Sequence, residues 1–308
     1  MTSCGRPDAA AALVVPSYVE VAYPFIVEQD RTAPIASLRQ AYVASREADL
    51  PVGFVREVDG LRDDVSLYIV PSFKQLTAPT WRGLVDRARA GATVYVSYFS
   101  GDHDVQRGHW YGDLEATFGV RHELRYGLAS RIDGDEVTVT FTKDFGSIAE
   151  GTELRVRVGG GVEARSFLPV TAQDATVVAT DGAGRPVLVQ REVGAGRIIL
   201  CTYPLEYMAA ALPAVNPEPT YRIYDALAVI AGIERDVVVD DPRVCVGELT
   251  HSGGSRFIWL VSQSPDAVTA TPRVRPGLQL RTLDGAATAA DHVLPPYGVL
   301  VLRLEGAD

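Results

Sequence analysis

The sequence predicts an α/β domain on a parallel sheet flanked by helices, with a β-rich insertion or sheet extension, followed by a small all-β sandwich. Three observations carry this. Residues 65–100, VSLYIVPSFKQLTAPTWRGLVDRARAGATVYVSYFS, read as strand, loop, helix and strand, the right-handed crossover from which doubly wound domains are built. From about Val120 to Thr180, period-2 alternation and turn glycines replace helical spacing, as in EVTVTFT and ELRVRV. From about Arg235 onward only strand-like runs remain. The boundaries that follow are 1–8 for a leader with no fold of its own, 9–234 for the α/β domain with its insertion near 120–180, and 235–308 for the sandwich.

Residues 11–15 (AALVV) are apolar throughout and stop at Pro16, as a buried central strand does. Residues 17–32 form a long loop rich in aromatics and acids, including Glu20 and Tyr23, at the carboxyl end of that strand. Residues 35–48 place Leu38, Ala41, Tyr42 and Ser45 on one helical face. The next strands are 52–56 and 66–70, the second ended by Pro71. Thr77 is the expected N-cap before Pro79, and Gly91 the expected C′ stop. Between them Trp81, Leu84, Val85 and Ala88 make one apolar face, so Trp81 reads as core. Strand 93–99 follows, then a polar loop at 100–108 and a short helix through Phe118. Residues 186–193 and 197–203 form a hairpin around Gly194-Ala195-Gly196. Helices at 206–212 and 221–231 come next, the second closing the α/β domain, then strands at 243–249, 256–262, 278–283 and 298–304. Alternation in 256–262 makes Trp259 a packing residue of the sandwich.

Composition narrows the function. With 308 residues, 47% hydrophobic and 22% charged, the chain has the make-up of a soluble globular protein of about two domains. Its net charge of −10 argues against nucleic acid or an anionic membrane as partner, since both require a basic footprint. Cys4, Cys201 and Cys245 are far apart and lack metal-ligand spacing, which suits a reducing, cytoplasmic setting better than a disulfide framework. No apolar run approaches the ~20 residues of a membrane helix, and residues 9–15 read better as a first strand than as part of a signal peptide. H-E-x-x-H, C-x-x-C, a P-loop and G-x-G-x-x-G are absent, so no metal or cofactor is expected.

Three phrases carry a resemblance: LYIVPSFKQLTAPTWRGLVDRARAGATVYVSYFSG, GRPVLVQREVGAGRIILCTYPLE and the closing HVLPPYGVLVLRL. In order and spacing they resemble the class I glutamine-amidotransferase-like, flavodoxin-like domain, the trimerisation domain, behind the catalytic barrel of family 42 β-galactosidases and related family 5-type glycosidases. The last phrase resembles the final strand of the small β-domain that ends those enzymes. The resemblance runs from about Ala11 to the end. It implies a non-catalytic accessory or oligomerisation region of a glycoside hydrolase, β-mannosidase, β-galactosidase or cellulase-like, whose partners are a barrel domain or other subunits. A (β/α)8 barrel of ~250 residues has no room in the sequence. The chain thus looks like the C-terminal part of a larger glycosidase or a separately encoded counterpart.

Amidotransferase chemistry needs a cysteine on a strand-to-helix elbow beside a histidine, and none of the three cysteines stands on one. The single asparagine, Asn216, is separated from Glu218 by Pro217 and departs from the Asn-Glu pair of barrel glycosidases. One polar constellation remains. Asp102, His103, Asp104, His109 and Trp110 follow the strand ending at Phe99, at the sheet edge that faces the ligand crevice of open α/β folds. Tyr203, Glu206, Glu20 and Tyr23 are expected on the same edge. The group is either a solvated polar loop, a sugar-binding or inter-domain contact, a metal site, or a catalytic site. Two alternatives to the accessory reading follow. One is a self-sufficient hydrolase using Asp102, Asp104 or Glu206 with His103 or His109; the other is a carbohydrate-binding module stacking an oligosaccharide on Trp110, Tyr23 and Tyr203.

Overall fold

A computed structural model of the chain describes residues 4–5, 9–17, 28–71, 76–98, 114–123, 130–159, 165–211 and 219–307. The first part comprises β1 (Cys4–Gly5), β2 (Ala11–Val15), α1 (Glu28–Glu47), β3 (Val52–Arg56), β4 (Leu67–Val70), α2 (Ala78–Arg89), β5 (Thr93–Ser97) and α3 (Leu114–Phe118). A β-rich stretch follows: β6 (Val120–His122), β7 (Ser130–Arg131), β8 (Glu136–Phe141), β9 (Glu153–Arg157), β10 (Ser166–Phe167), β11 (Val170–Ala172) and β12 (Thr176–Asp181). The hairpin β13 (Pro186–Val193) and β14 (Gly196–Cys201) leads to α4 (Leu205–Ala210) and α5 (Thr220–Ile230). The last part is β15 (Val237–Val238), β16 (Val244–His251), β17 (Arg256–Ser262), β18 (Val268–Ala270), β19 (Arg273–Val274), β20 (Leu278–Arg281), β21 (His292–Leu294) and β22 (Val299–Gly306).

A nine-stranded mixed sheet runs in the order β3-β2-β4-β5-β14-β13-β12-β8-β9. Its first five strands are parallel, and antiparallel pairing begins at the β13–β14 hairpin. The β-rich stretch thus takes, through β12, β8 and β9, the second of its two expected forms, an extension of the sheet. The hairpin turns the chain back and leaves an open edge on β13, which β12, β8 and β9 complete.

Strand alternation divides the core between the two faces. Ala11 and Leu13 of β2 join a cluster with Ala41 and Ala44 of α1, Met208 of α4 and Leu227 of α5. Ala12 and Val14 face the other way, toward Trp81, Leu84 and Ala88 of α2 and Phe118 of α3. Trp81 meets Phe118 edge-on at 6.2 Å, a core position. Strands β8 and β9 are covered on one face only, and their exposed positions alternate with buried ones accordingly.

Helix ends show one departure from the usual chemistry. In α2, Gly91 N–H bonds to Ala88 O and Ala92 N–H to Arg87 O; after α5, Gly232 and Ile233 repeat the pattern on Val229 and Ala228. Both glycines have positive φ, as the Schellman cap requires. At the end of α1 the same cap is built by Asp49 N–H on Arg46 O and Leu50 N–H on Ser45 O, with Asp49 at φ 50. The sequence starts that helix after Pro34; in the structure it runs through Pro34, which forfeits one i→i−4 bond.

The C-terminal part is a five-stranded sheet, β1-β16-β17-β22-β20, with ribbons β15-β19 and β18-β21. Its core takes Val246, Ile258, Leu260 and Leu302. Trp259, between two core residues, is on the opposite face, over Gly247, so it does not fill the core as alternation first suggests. The leader also contributes: Cys4–Gly5 pairs with His251 and Thr250 at the end of β16.

Candidate functional site

In the parallel half of the sheet, β2 lies between β3 and β4, so chain direction across the sheet reverses there and a crevice is expected at the carboxyl ends of β2 and β4. Glu57, following β3, closes part of it. Its Oε2 accepts the N–H and hydroxyl of Ser17, each at 2.8 Å, and its Oε1 accepts the N–H and hydroxyl of Thr77 at 2.6 and 2.7 Å. Burial opposes the carboxylate, but the Ser17 N–H, the Thr80 hydroxyl and Thr77 outweigh it and keep its pKa low. Thr77 occupies the expected N-cap position of α2, yet its side chain makes no cap bond and bonds Glu57 and Thr80 instead. A carboxylate held by so many donors stitches loops together and is a poor base.

Of the residues proposed for the polar edge, Glu20, Tyr23, Asp102, His103, Asp104, His109 and Trp110 lie outside the described residues. Tyr203 and Glu206 are described, and both point inward, 0% and 1% exposed. Glu206 sits in the first turn of α4, beside Leu205 and Met208, which anchor that turn in the core. Its Oε1 accepts the hydroxyls of Tyr95 from β5 at 2.9 Å and Tyr224 from α5 at 3.0 Å. Burial pushes both phenols well above their usual range, and the Glu206 charge adds to it. Burial likewise pushes the Cys201 thiol up, so it is not a ready thiolate. Tyr203 stacks on Phe167 at 5.1 Å and donates to Asp181 Oδ2 at 2.8 Å. The Arg185 guanidinium covers the other ring at 4.4 Å from the Phe167 centroid and also bonds Asp181. These two networks tie α4 and α5 to the sheet. Neither offers a sugar a free ring or a substrate a free carboxyl group.

A second polar centre joins the two parts of the chain, and the sequence reading did not identify it. Asp49 accepts the N–H of Val239 at 2.6 Å through Oδ2 and that of Val246 at 3.0 Å through Oδ1. Arg46 donates to the Val246 carbonyl, so both main-chain groups of this β16 edge residue are satisfied from the last turn of α1 and its cap. Arg235 bonds Ala48 O at 2.6 Å and pairs with Asp225 at 2.7 Å. Burial pushes Asp49 up to about 7 despite the two N–H groups and the nearby Arg46 and Arg235. Burial also pushes Glu47 up to about 8, and its Oε2 has no hydrogen-bond partner among the described residues. No group of three or more His, Cys, Asp or Glu among the described residues has the geometry to hold a metal ion. No helix among the described residues is long and apolar enough to cross a membrane.

No protein-family model matches the sequence, and no curated relative matches it. Solved structures do. The chain is similar to a β-galactosidase from Bacillus circulans sp. alkalophilus, with TM-score 0.65 and 17% identity over 96% of this chain and 41% of that one. A GH42 β-galactosidase from G. stearothermophilus gives TM-score 0.68 at 16% identity, over 98% and 41%. An α-L-fucosidase isoenzyme 2 from Paenibacillus thiaminolyticus gives 0.63 at 10%, over 99% and 50%. The chain thus spans two-fifths to half the length of these glycosidase chains, and what it shares with them is the fold.

Proposed function

We propose that this chain is a non-catalytic accessory region of a glycoside hydrolase, which assembles with a catalytic barrel domain or with other subunits. Its nine-stranded sheet would then be the flavodoxin-like, amidotransferase-like trimerisation domain, and its last sheet the terminal β-sandwich. The observation that carries the reading is the coverage: nearly all of this chain aligns with only about 41% of the β-galactosidase chains. The inward placement of Tyr203 and Glu206 supports it, because those groups serve the core. Asp102, His103, Asp104, His109, Trp110, Glu20 and Tyr23 remain candidates for an inter-domain or substrate-facing contact. Light scattering tests the reading. The expected result is a mass above the 33.2 kDa of one chain, or a complex with a glycosidase barrel polypeptide. A 33.2 kDa monomer at every concentration that binds no such barrel overturns it.

A further inference from the structure

A cleft of about 480 Å³ opens where the α/β part meets the edge of β16, beside Asp49. Its volume is that of a small-molecule site. Tyr42, Arg46 and Asp49 line one wall, and Arg256, Trp259 and Arg275 belong to the other. Three features define what fits.

The first is an aromatic platform. Trp259 leaves the core face of β17 and lies directly over Gly247, where a Cβ would collide with the indole. Residue 247 must therefore be glycine for the ring to lie against the backbone. On the opposite wall Tyr42 is itself stacked on Phe54 at 5.7 Å, which fixes its plane.

The second is charge balance. Arg46, Arg235, Arg256 and Arg275 are set against Asp49, Glu234, Asp236 and Glu248, four cations to four acids. With Asp49 raised to about 7 by burial, the lining stays close to neutral and has little net attraction for a phosphate, a polyanion or a polycation.

The third is rigidity. Asp236 is shared by Arg256 and by Arg275, the latter at 2.9 Å. Arg256 Nε also bonds Glu248 at 2.6 Å, and Arg275 bonds Glu234. Pairing locks these planar groups in place, while each carboxylate retains lone pairs and each guanidinium retains N–H groups for a further partner. Fixed planar donors and acceptors beside an aromatic face suit a ligand with ring hydroxyls and apolar C–H faces.

We infer that this cleft binds an uncharged saccharide of roughly one or two pyranose rings, stacked on Trp259 and hydrogen-bonded to the Arg256–Asp236–Arg275 network. The ligand class rests in part on the accessory reading; the site itself rests on the cleft.

The test titrates the intact chain with neutral galacto-, manno- and gluco-disaccharides by calorimetry, following the tryptophan indole N–H signals by NMR. Trp259→Phe assigns the Trp259 signal. At least one sugar is expected to bind with a dissociation constant of ~1 mM and to move that signal. Trp259→Ala should weaken binding at least tenfold (, about 1.4 kcal/mol), and Trp259→Phe, which keeps an aromatic face and the fold, less. A glucuronide should bind no better than its neutral counterpart. No binding by any neutral sugar at tens of millimolar, or equal affinity in wild type and both variants, overturns the proposal. Sugar binding by a chain that never assembles with a barrel would remove the accessory reading and leave the cleft. Assembly without sugar binding would do the reverse.

Discussion

The carboxylate of Asp49 accepts the main-chain N–H of Val246 at 3.0 Å across 197 positions of sequence. Its other oxygen takes the N–H of Val239. Asp49 does this from φ 50, at the cap position that Gly91 and Gly232 fill after the other long helices. A non-glycine residue in this region costs about 1–2 kcal/mol, so the side chain must return more than the backbone loses. Asp49→Ala leaves two buried amides without acceptors, at about 1–3 kcal/mol each, and should destabilise the chain by about 2–5 kcal/mol. Asp49→Gly should recover about 1 kcal/mol of that loss. Urea unfolding of the three proteins measures both; equal stability for all of them contradicts the junction.

The junction should also respond to pH. Glu47 is raised from 4.5 to about 8 and Asp49 from 3.8 to about 7. Between pH 4 and 8 the folded chain thus keeps protons that the unfolded chain has released. Stability falls as pH rises through that window and levels off above it. A loss of about 1–3 kcal/mol between pH 5 and 8 is expected from Glu47. Glu47→Gln cannot ionise, so its unfolding midpoint should fall less steeply over the same range. An identical slope in wild type and variant would remove Glu47 from this account.

Inside the α/β part, Glu206→Leu strands the hydroxyls of Tyr95 and Tyr224, which donate to it at 2.9 and 3.0 Å. The expected cost is about 2–5 kcal/mol. Glu206→Gln keeps an acceptor oxygen at the same place and should cost under about 2 kcal/mol. Thermal unfolding ranks them. A Leu variant as stable as the Gln variant would show that the tyrosines do not depend on this residue.

Two glycines of the β13–β14 hairpin are set by contact with α2. Gly194 has φ +63, and a Cβ there would lie 2.5 Å from the carbonyl oxygen of Arg89; one on Gly196 would come closer still to those of Ala88 and Ala92. All three carbonyls are backbone, so none can move aside cheaply. Gly194→Ala should therefore lower stability by about 2 kcal/mol or more. Gly254, with a similar φ of +85 and open space around it, is the control: Gly254→Ala carries only the strain of the φ, about 1 kcal/mol. Denaturant midpoints that place the two alanine variants together would contradict the close approach.

Local pattern made much of the fold legible. The bounds read for residues 11–15, 52–56 and 256–262 coincide with β2, β3 and β17, because apolar runs ended by turn residues leave little choice of register. Long-range pairing was not legible. Asp49 in READLP looks like any acid after a helix, and its partners lie 190 and 197 positions away. Glu206 follows TYPL on a short helix, and its position as an acceptor depends on Tyr95, 111 positions upstream. Alternation placed Trp259 on one face of its strand but could not say which face the core would cover. Glu57 escaped notice because its role appears only when the loops after β2 and β4 meet.

The central claim, that the chain works as an accessory and not as a hydrolase, is tested most directly by one assay. The purified chain is incubated with aryl β-galactosides, β-mannosides and β-glucosides, and release of the aryl group is followed. The account predicts no turnover above buffer with any of them. Turnover that Asp102→Ala abolishes would contradict it and make the polar edge after β5 an active site.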